Sequence, residues 1–132
     1  MPRYGIDTSI LVRLLTGDPA DEFERTRAAF EQLLQEEPSA EIQASNLVIA
    51  EAYFVLQHHY GVGKPEARSA LDSVLTSGLV HPLHGPSVLE ALKDAQEPGL
   101  LDRLIVVEYA DQEVITLTHD RKMGRLPRCR LL

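Results

Sequence analysis

Four carboxylates stand at positions that an ordinary solvated surface does not explain. Asp7 follows the short apolar run Tyr4-Gly5-Ile6 and opens Asp7-Thr8-Ser9, three consecutive residue types that cap helices. Asp120, in Thr118-His119-Asp120-Arg121, follows a β-branched run. Taken singly, Asp7 reads as a helix cap and Asp120 as a turn residue. Glu51 is less ordinary. Its neighbours three and four positions away are Leu47, Val48, Phe54 and Val55, and a helix apolar on every side is normally buried. An unpaired buried carboxylate is costly or loses its charge, and no lysine or arginine lies within one turn to pair with it. Glu51 is therefore expected to be buried and to need a partner. Asp102 repeats the pattern, with Ile105 and Val106 one turn on, although an acid near a helix start is also favoured by the helix dipole. Arg103 adjoins it in sequence but points about 100° away around the helix.

Two acids at strand ends and two on apolar helices suggest a convergent acidic cluster. Such carboxylates repel one another, and a hard cation is the natural reason to hold them together. Oxygen ligands without a Cys/His constellation point to Mg²⁺ or Mn²⁺. Such an ion activates a water and polarises a phosphoryl oxygen, which is the chemistry of phosphodiester hydrolysis. The histidines do not compete for this role. His58 and His59 are adjacent on a helix and cannot face one site. His81 and His84 flank a proline turn and are expected at the surface, and His119 is the one histidine close in sequence to a candidate acid. Tyr53, Phe54 and Tyr60 read as core or interface residues.

The elements that must position these acids follow from periodicity and punctuation. An apolar entry over residues 4–6 precedes a helix over 10–15, ended by Gly17-Asp18-Pro19. Residues 21–36 are amphipathic, and 41–44 form a brief strand. Ser45-Asn46 cap a helix over 47–59, which Gly61-Val62-Gly63 breaks. Helices are expected over 64–77, 87–95 and 100–110, with short strands over 79–81 and 114–118. Strands alternating with helices imply a parallel sheet covered on both faces, with chemistry beyond the carboxyl ends of the strands.

At 132 residues the chain fits a single domain spanning 1–132, and its 44 % hydrophobic content suffices for one core. It lacks an apolar run long enough for a membrane span or a signal peptide, and its one cysteine, Cys129, excludes an intrachain disulfide framework. A soluble, cytoplasmic protein is expected. The net charge of −7 argues against a general polyanion binder, but its distribution is uneven. Arg121, Lys122, Arg125, Arg128 and Arg130 fall in the last twelve positions with no acid among them, so the other 120 positions carry a balance of −12. That asymmetry suits an RNA contact, an acidic-partner contact, or a solvated terminus.

The motifs also resemble a known family, the VapC-type PIN domains. Asp7-Thr8-Ser9-Ile10-Leu11-Val12-Arg13-Leu14-Leu15-Thr16-Gly17-Asp18 is similar to their opening motif, and Val48-Ile49-Ala50-Glu51-Ala52 to the second. Leu101-Asp102-Arg103-Leu104-Ile105 resembles the third, and Thr116-Leu117-Thr118-His119-Asp120-Arg121-Lys122 the last. Order and spacing agree from residue 4 to about 128. The resemblance implies an α/β fold, a three-layer α/β/α sandwich with a small parallel sheet. It implies Asp7, Glu51, Asp102 and Asp120 as catalytic, Mg²⁺- or Mn²⁺-binding acids, and Thr8, Ser9 and Thr118 as hydroxyls that orient them. The implied activity is endonucleolytic RNA cleavage by a metal-activated water. The implied setting is a type II toxin–antitoxin pair, with a cognate antitoxin and a homodimer as partners. Arg13, Arg103, Arg121 and Lys122 are the candidate RNA contacts.

Three positions depart from the family pattern. Ser9 stands where asparagine is frequent, Lys122 where many relatives carry a further acid, and Arg103 where a small residue is common. Two other readings stay open: a PIN-type module that binds RNA or protein without cutting, and a PIN nuclease of RNA maturation without an antitoxin. A phosphoacceptor receiver domain would need paired acids after its first strand, and Ile6 and Thr8 flank Asp7 instead.

Overall fold

The computed structural model describes residues 2–132. Strand β1 (Arg3–Gly5) leads through helices α1 (Thr8–Thr16) and α2 (Ala20–Glu36) to β2 (Glu41–Ala44). Helices α3 (Asn46–His58) and α4 (Lys64–Leu75) then lead to β3 (His81–Pro82). These strands form one parallel sheet in the order β1-β2-β3, with Tyr4 opposite Ile42 and Gln43 opposite His81. Parallel neighbours need a long crossover, and each helix pair supplies one. Helices α5 (Pro86–Lys93) and α6 (Leu100–Asp111) precede β4 (Thr116–Thr118), one turn of 3-10 helix (Met123–Arg125) and β5 (Cys129–Leu131). The arrangement is the expected three-layer α/β/α sandwich.

Local chemistry sets the helix limits. Asp7 caps α1 by accepting from the Ile10 amide, and Ser45 caps α3 by accepting from the Val48 amide at 3.2 Å. Gly17 ends α1 at φ 66°, in the left-handed region, and returns its N–H to the Arg13 carbonyl at 2.8 Å. Proline sits in the first turn of α4 and of α5, where its missing N–H costs no helical bond.

The core lies between the sheet and the helices, with Leu11, Ile42, Ile49, Leu71, Leu75, Val80 and Val88 fully buried. Each such side chain contributes about 1.5–3 kcal/mol of burial. Helix α3 is the hub, packing against α1, α4 and α6. Its buried residue Asn46 donates from Nδ2 to the Leu104 carbonyl at 2.8 Å, tying the start of α3 to the middle of α6. The helices that carry Glu51 and Asp102 are thereby fixed to each other.

Several expectations needed correction. The parallel pairing is divided, because β4 pairs with β5 in a second, two-stranded parallel sheet. The basic tail, read from sequence as a terminus, thus supplies a strand. Val114 and Ile115 lie outside β4 and are exposed, since pairing with Cys129 begins at Thr116. The third strand falls at His81–Pro82 rather than 79–81, and α4 stops at Leu75. No helix is long and apolar enough to cross a membrane among the described residues.

Candidate active site

Asp7 leaves the carboxyl end of β1, where the chain turns into α1. Its Oδ1 accepts from the Ser9 hydroxyl at 2.7 Å and from the Ile10 amide at 3.1 Å. These two bonds hold its carboxyl below the usual aspartate range, the Ser9 bond most of all. Both fall on Oδ1, so Oδ2 keeps its acceptor capacity. The cap reading and the site reading of Asp7 are compatible, each using a different oxygen.

Glu51 is brought to this corner by the packing of α3 on α1. The Thr8 hydroxyl donates to its Oε1 at 3.3 Å, so α1 supplies an acid and a hydroxyl that holds a second acid. The expected burial of Glu51 is wrong, for it is exposed. The core takes Ile49, Ala52, Tyr53 and Leu56 from α3, and the other side of the helix faces outward with Leu47 and Phe54 at 68 % and 54 % exposure. An apolar surround therefore marked a solvent-facing apolar surface with one acid in it.

Asp102 sits in the first turn of α6, half-buried. Burial pushes its carboxyl above the usual aspartate range, and the charges of Asp120 and Glu97 push it further. Asp102 and Asp120 thus feel each other across two elements far apart in sequence. Asp120 is exposed in the turn after β4. Its Oδ1 accepts from the Met123 amide at 2.9 Å, and its own amide donates to the Thr118 hydroxyl at 3.0 Å. Thr118 thus fixes the turn that presents Asp120. Glu97, which the sequence reading passed over, is a further carboxylate near Asp102. Its place in Glu97-Pro98-Gly99, directly before α6, was the available signal.

The four acids are joined in pairs: Asp7 and Glu51 through α1, Asp102 and Asp120 through their mutual field. A donor set of carboxylate and hydroxyl oxygens suits Mg²⁺ or Mn²⁺ in type. Among the described residues, no three His, Cys, Asp or Glu side chains are grouped so that they could hold a metal ion. The fit is one of donor type and of repulsion awaiting a cation, not of a closed cage.

The candidate RNA contacts separate into two kinds. Arg121 and Lys122 are exposed in the turn beside Asp120. Arg13 and Arg103 are occupied instead. Arg13 donates to the Asp18 carbonyl at 2.8 Å and pairs with Glu22 at 2.6 Å, clamping the turn between α1 and α2. Arg103 donates to the Pro98 and Gln96 carbonyls at 2.9 and 3.0 Å and pairs with Asp94 at 3.2 Å. It holds the loop that leads into Asp102. His84, expected at the surface, has a side chain only 13 % exposed, with Nδ1 2.7 Å from an Asp111 carboxylate oxygen.

The PIN domain family model matches residues 4–128, nearly the whole chain. No curated protein matches it.

Proposed function

Because the chain belongs to the PIN domain family, whose members are in general nucleases, we propose that it is an endoribonuclease using Mg²⁺ or Mn²⁺ to hydrolyse RNA phosphodiester bonds. The observation that carries the reading is Asp102. Its carboxyl is held above the ordinary range by burial and by the charges of Asp120 and Glu97, an arrangement that costs stability and that a bound cation would relieve.

Asp7, Glu51, Asp102 and Asp120 are the acids in this reading. A divalent ion held by them would supply positive charge at the phosphoryl oxygen and favour attack by water. The chain's own part is positioning. Ser9 keeps Asp7 ionised and turned through one oxygen, leaving the other for the site. Thr8 holds Glu51, and Thr118 fixes the turn of Asp120. Arg121 and Lys122 lie where they can contact the RNA backbone beside that acid. Arg13 and Arg103 act on loop geometry, since their guanidinium groups are spent on carbonyls and carboxylates.

We assign the protein, by resemblance of its motifs, to the toxins of type II toxin–antitoxin pairs, acting in the cytoplasm and restrained by a cognate antitoxin. A homodimer is supported by a contiguous apolar stripe on α6, where Leu101, Ile105 and Tyr109 recur every four residues at 46–48 % exposure. The competing reading, a PIN module that binds without cutting, draws on the lack of a three-ligand grouping among the described residues.

Cleavage of a total-RNA and tRNA panel separates the two, with Mg²⁺, Mn²⁺ or EDTA, beside Asp102→Asn. Discrete metal-dependent products that the variant does not give are expected. Equal cleavage by Asp102→Asn would sink the assignment, and RNA binding without cleavage by either protein would favour the binding module.

A further inference from the structure

A cavity of about 280 Å³ opens beside Asp102, lined by the start of α6, by the loop before it, and by Tyr53, Lys64 and Arg68. Lys64 and Arg68 are one turn apart on α4, so both can face the same space. Neither makes an ion pair among the described residues. Tyr53 is 5 % exposed and lines the same cavity, and its hydroxyl has no protein hydrogen-bond partner among the described residues.

The acids on this wall do not account for the two cations. Asp94 lines the cavity but is already paired with Arg103. Glu97 and Asp102 remain, and Asp102 belongs to the proposed metal site. Once a divalent ion neutralises that site, Glu97 alone remains on this wall to balance an ammonium and a guanidinium, with a phenol beside them. A phosphate diester matches all three donors, since its oxygens accept from each.

We propose that Lys64, Arg68 and Tyr53 seat an RNA phosphate neighbouring the one that is cut, so that the strand enters the acidic site along α4. This rests on the reading of the protein as an RNA nuclease and names how that site would grip its substrate. The seat uses phosphate alone, so it adds affinity without choosing sequence.

The test measures binding of a fluorescent poly(U) oligonucleotide in EDTA, which blocks cleavage, over a series of salt concentrations. Cleavage of the wild-type protein's own target is measured in parallel with Mg²⁺ or Mn²⁺. Lys64→Gln with Arg68→Gln should weaken binding about tenfold or more. It should also reduce the slope of log affinity against log salt by about 0.7, the value for one phosphate contact on a single strand. KM should rise while kcat changes little. Arg68→Lys keeps the charge and should keep the slope, and Arg25→Gln, on α2, should match the wild type. Thermal melts confirm that each variant folds. Unchanged affinity and slope in the double variant, with wild-type protein that binds and cuts RNA, would overturn the seat and leave the nuclease standing. Wild-type protein that neither binds nor cuts RNA overturns both.

Discussion

Asp7 does two jobs with one carboxylate, and substitution can separate them. Asp7→Asn keeps an oxygen for the Ile10 amide but removes the charge, so melting temperature should change little while cleavage falls by two orders of magnitude or more. Asp7→Ala should lose both, at about 1 kcal/mol of stability for the missing cap. The pH dependence follows from the lowered carboxyl of Asp7. Its stabilisation is complete above the ordinary aspartate pKa and is lost as pH falls through the lower folded value, so the cap fails only in strong acid. Asp102 has the opposite sign. Its folded pKa is raised, so the folded state is favoured in acid and loses that advantage as pH rises through the folded value. At neutral pH without metal, Asp102→Asn should therefore melt higher than wild type. Mg²⁺ or Mn²⁺ should raise the wild-type midpoint and not the variant's. An Asp102→Asn melt at or below the wild type in EDTA would contradict this account. The positions of Asp7, Asp102 and Asp120 were legible because they follow strands or open helices. The exposure of Glu51 was not, because an apolar surround looks the same whether the core or open solvent covers it.

Helices α3 and α6 carry one acid each, and Asn46 and Arg103 determine how they meet. Asn46→Ala would remove its bond to the Leu104 carbonyl, which keeps its place in the helix, at about 0.5–1.5 kcal/mol, while relieving the Asn46 Oδ1, which has no partner. Cleavage should fall more than the stability loss explains, since the helices bearing Glu51 and Asp102 would no longer be fixed to each other. Arg103→Lys offers a sharper comparison. A lysine cannot reproduce a fork that reaches two carbonyls and Asp94 together. RNA affinity in EDTA should stay within about twofold of wild type, while kcat falls with the loosened loop before Asp102. A loss of affinity with kcat preserved would return Arg103 to the RNA contacts. Helix existence and order were legible from apolar spacing, capping residues and glycine. Strand β5 was not: Cys129-Arg130-Leu131 has no alternation of its own and becomes a strand only by lying beside β4. For the same reason Val114 and Ile115, strand formers by type, fall outside the strand.

At the scale of the whole molecule, Leu101, Ile105 and Tyr109 form an exposed apolar stripe along α6. Sedimentation equilibrium should give twice the chain mass for the wild type and the chain mass for Ile105→Glu, because a charge in an apolar interface is left unpaired. A monomeric wild type at micromolar concentration would remove the homodimer from the proposal. The overall architecture was readable because alternating strands and helices permit few layer arrangements. The split of the sheet was not, since pairing partners are chosen only once the layers meet. Laying β5 along β4 has a last consequence, one of motion before contact. It packs the segment carrying Arg121, Lys122, Arg125, Arg128 and Arg130, all exposed, along the strand that leads to Asp120, beside a body carrying −12. A polyanion drifting past would exert a torque on such a charge-separated particle, swinging the basic edge forward and repelling the rest. Arrival would then be oriented at a distance, and the association rate would slow steeply with added salt while departure hardly changed.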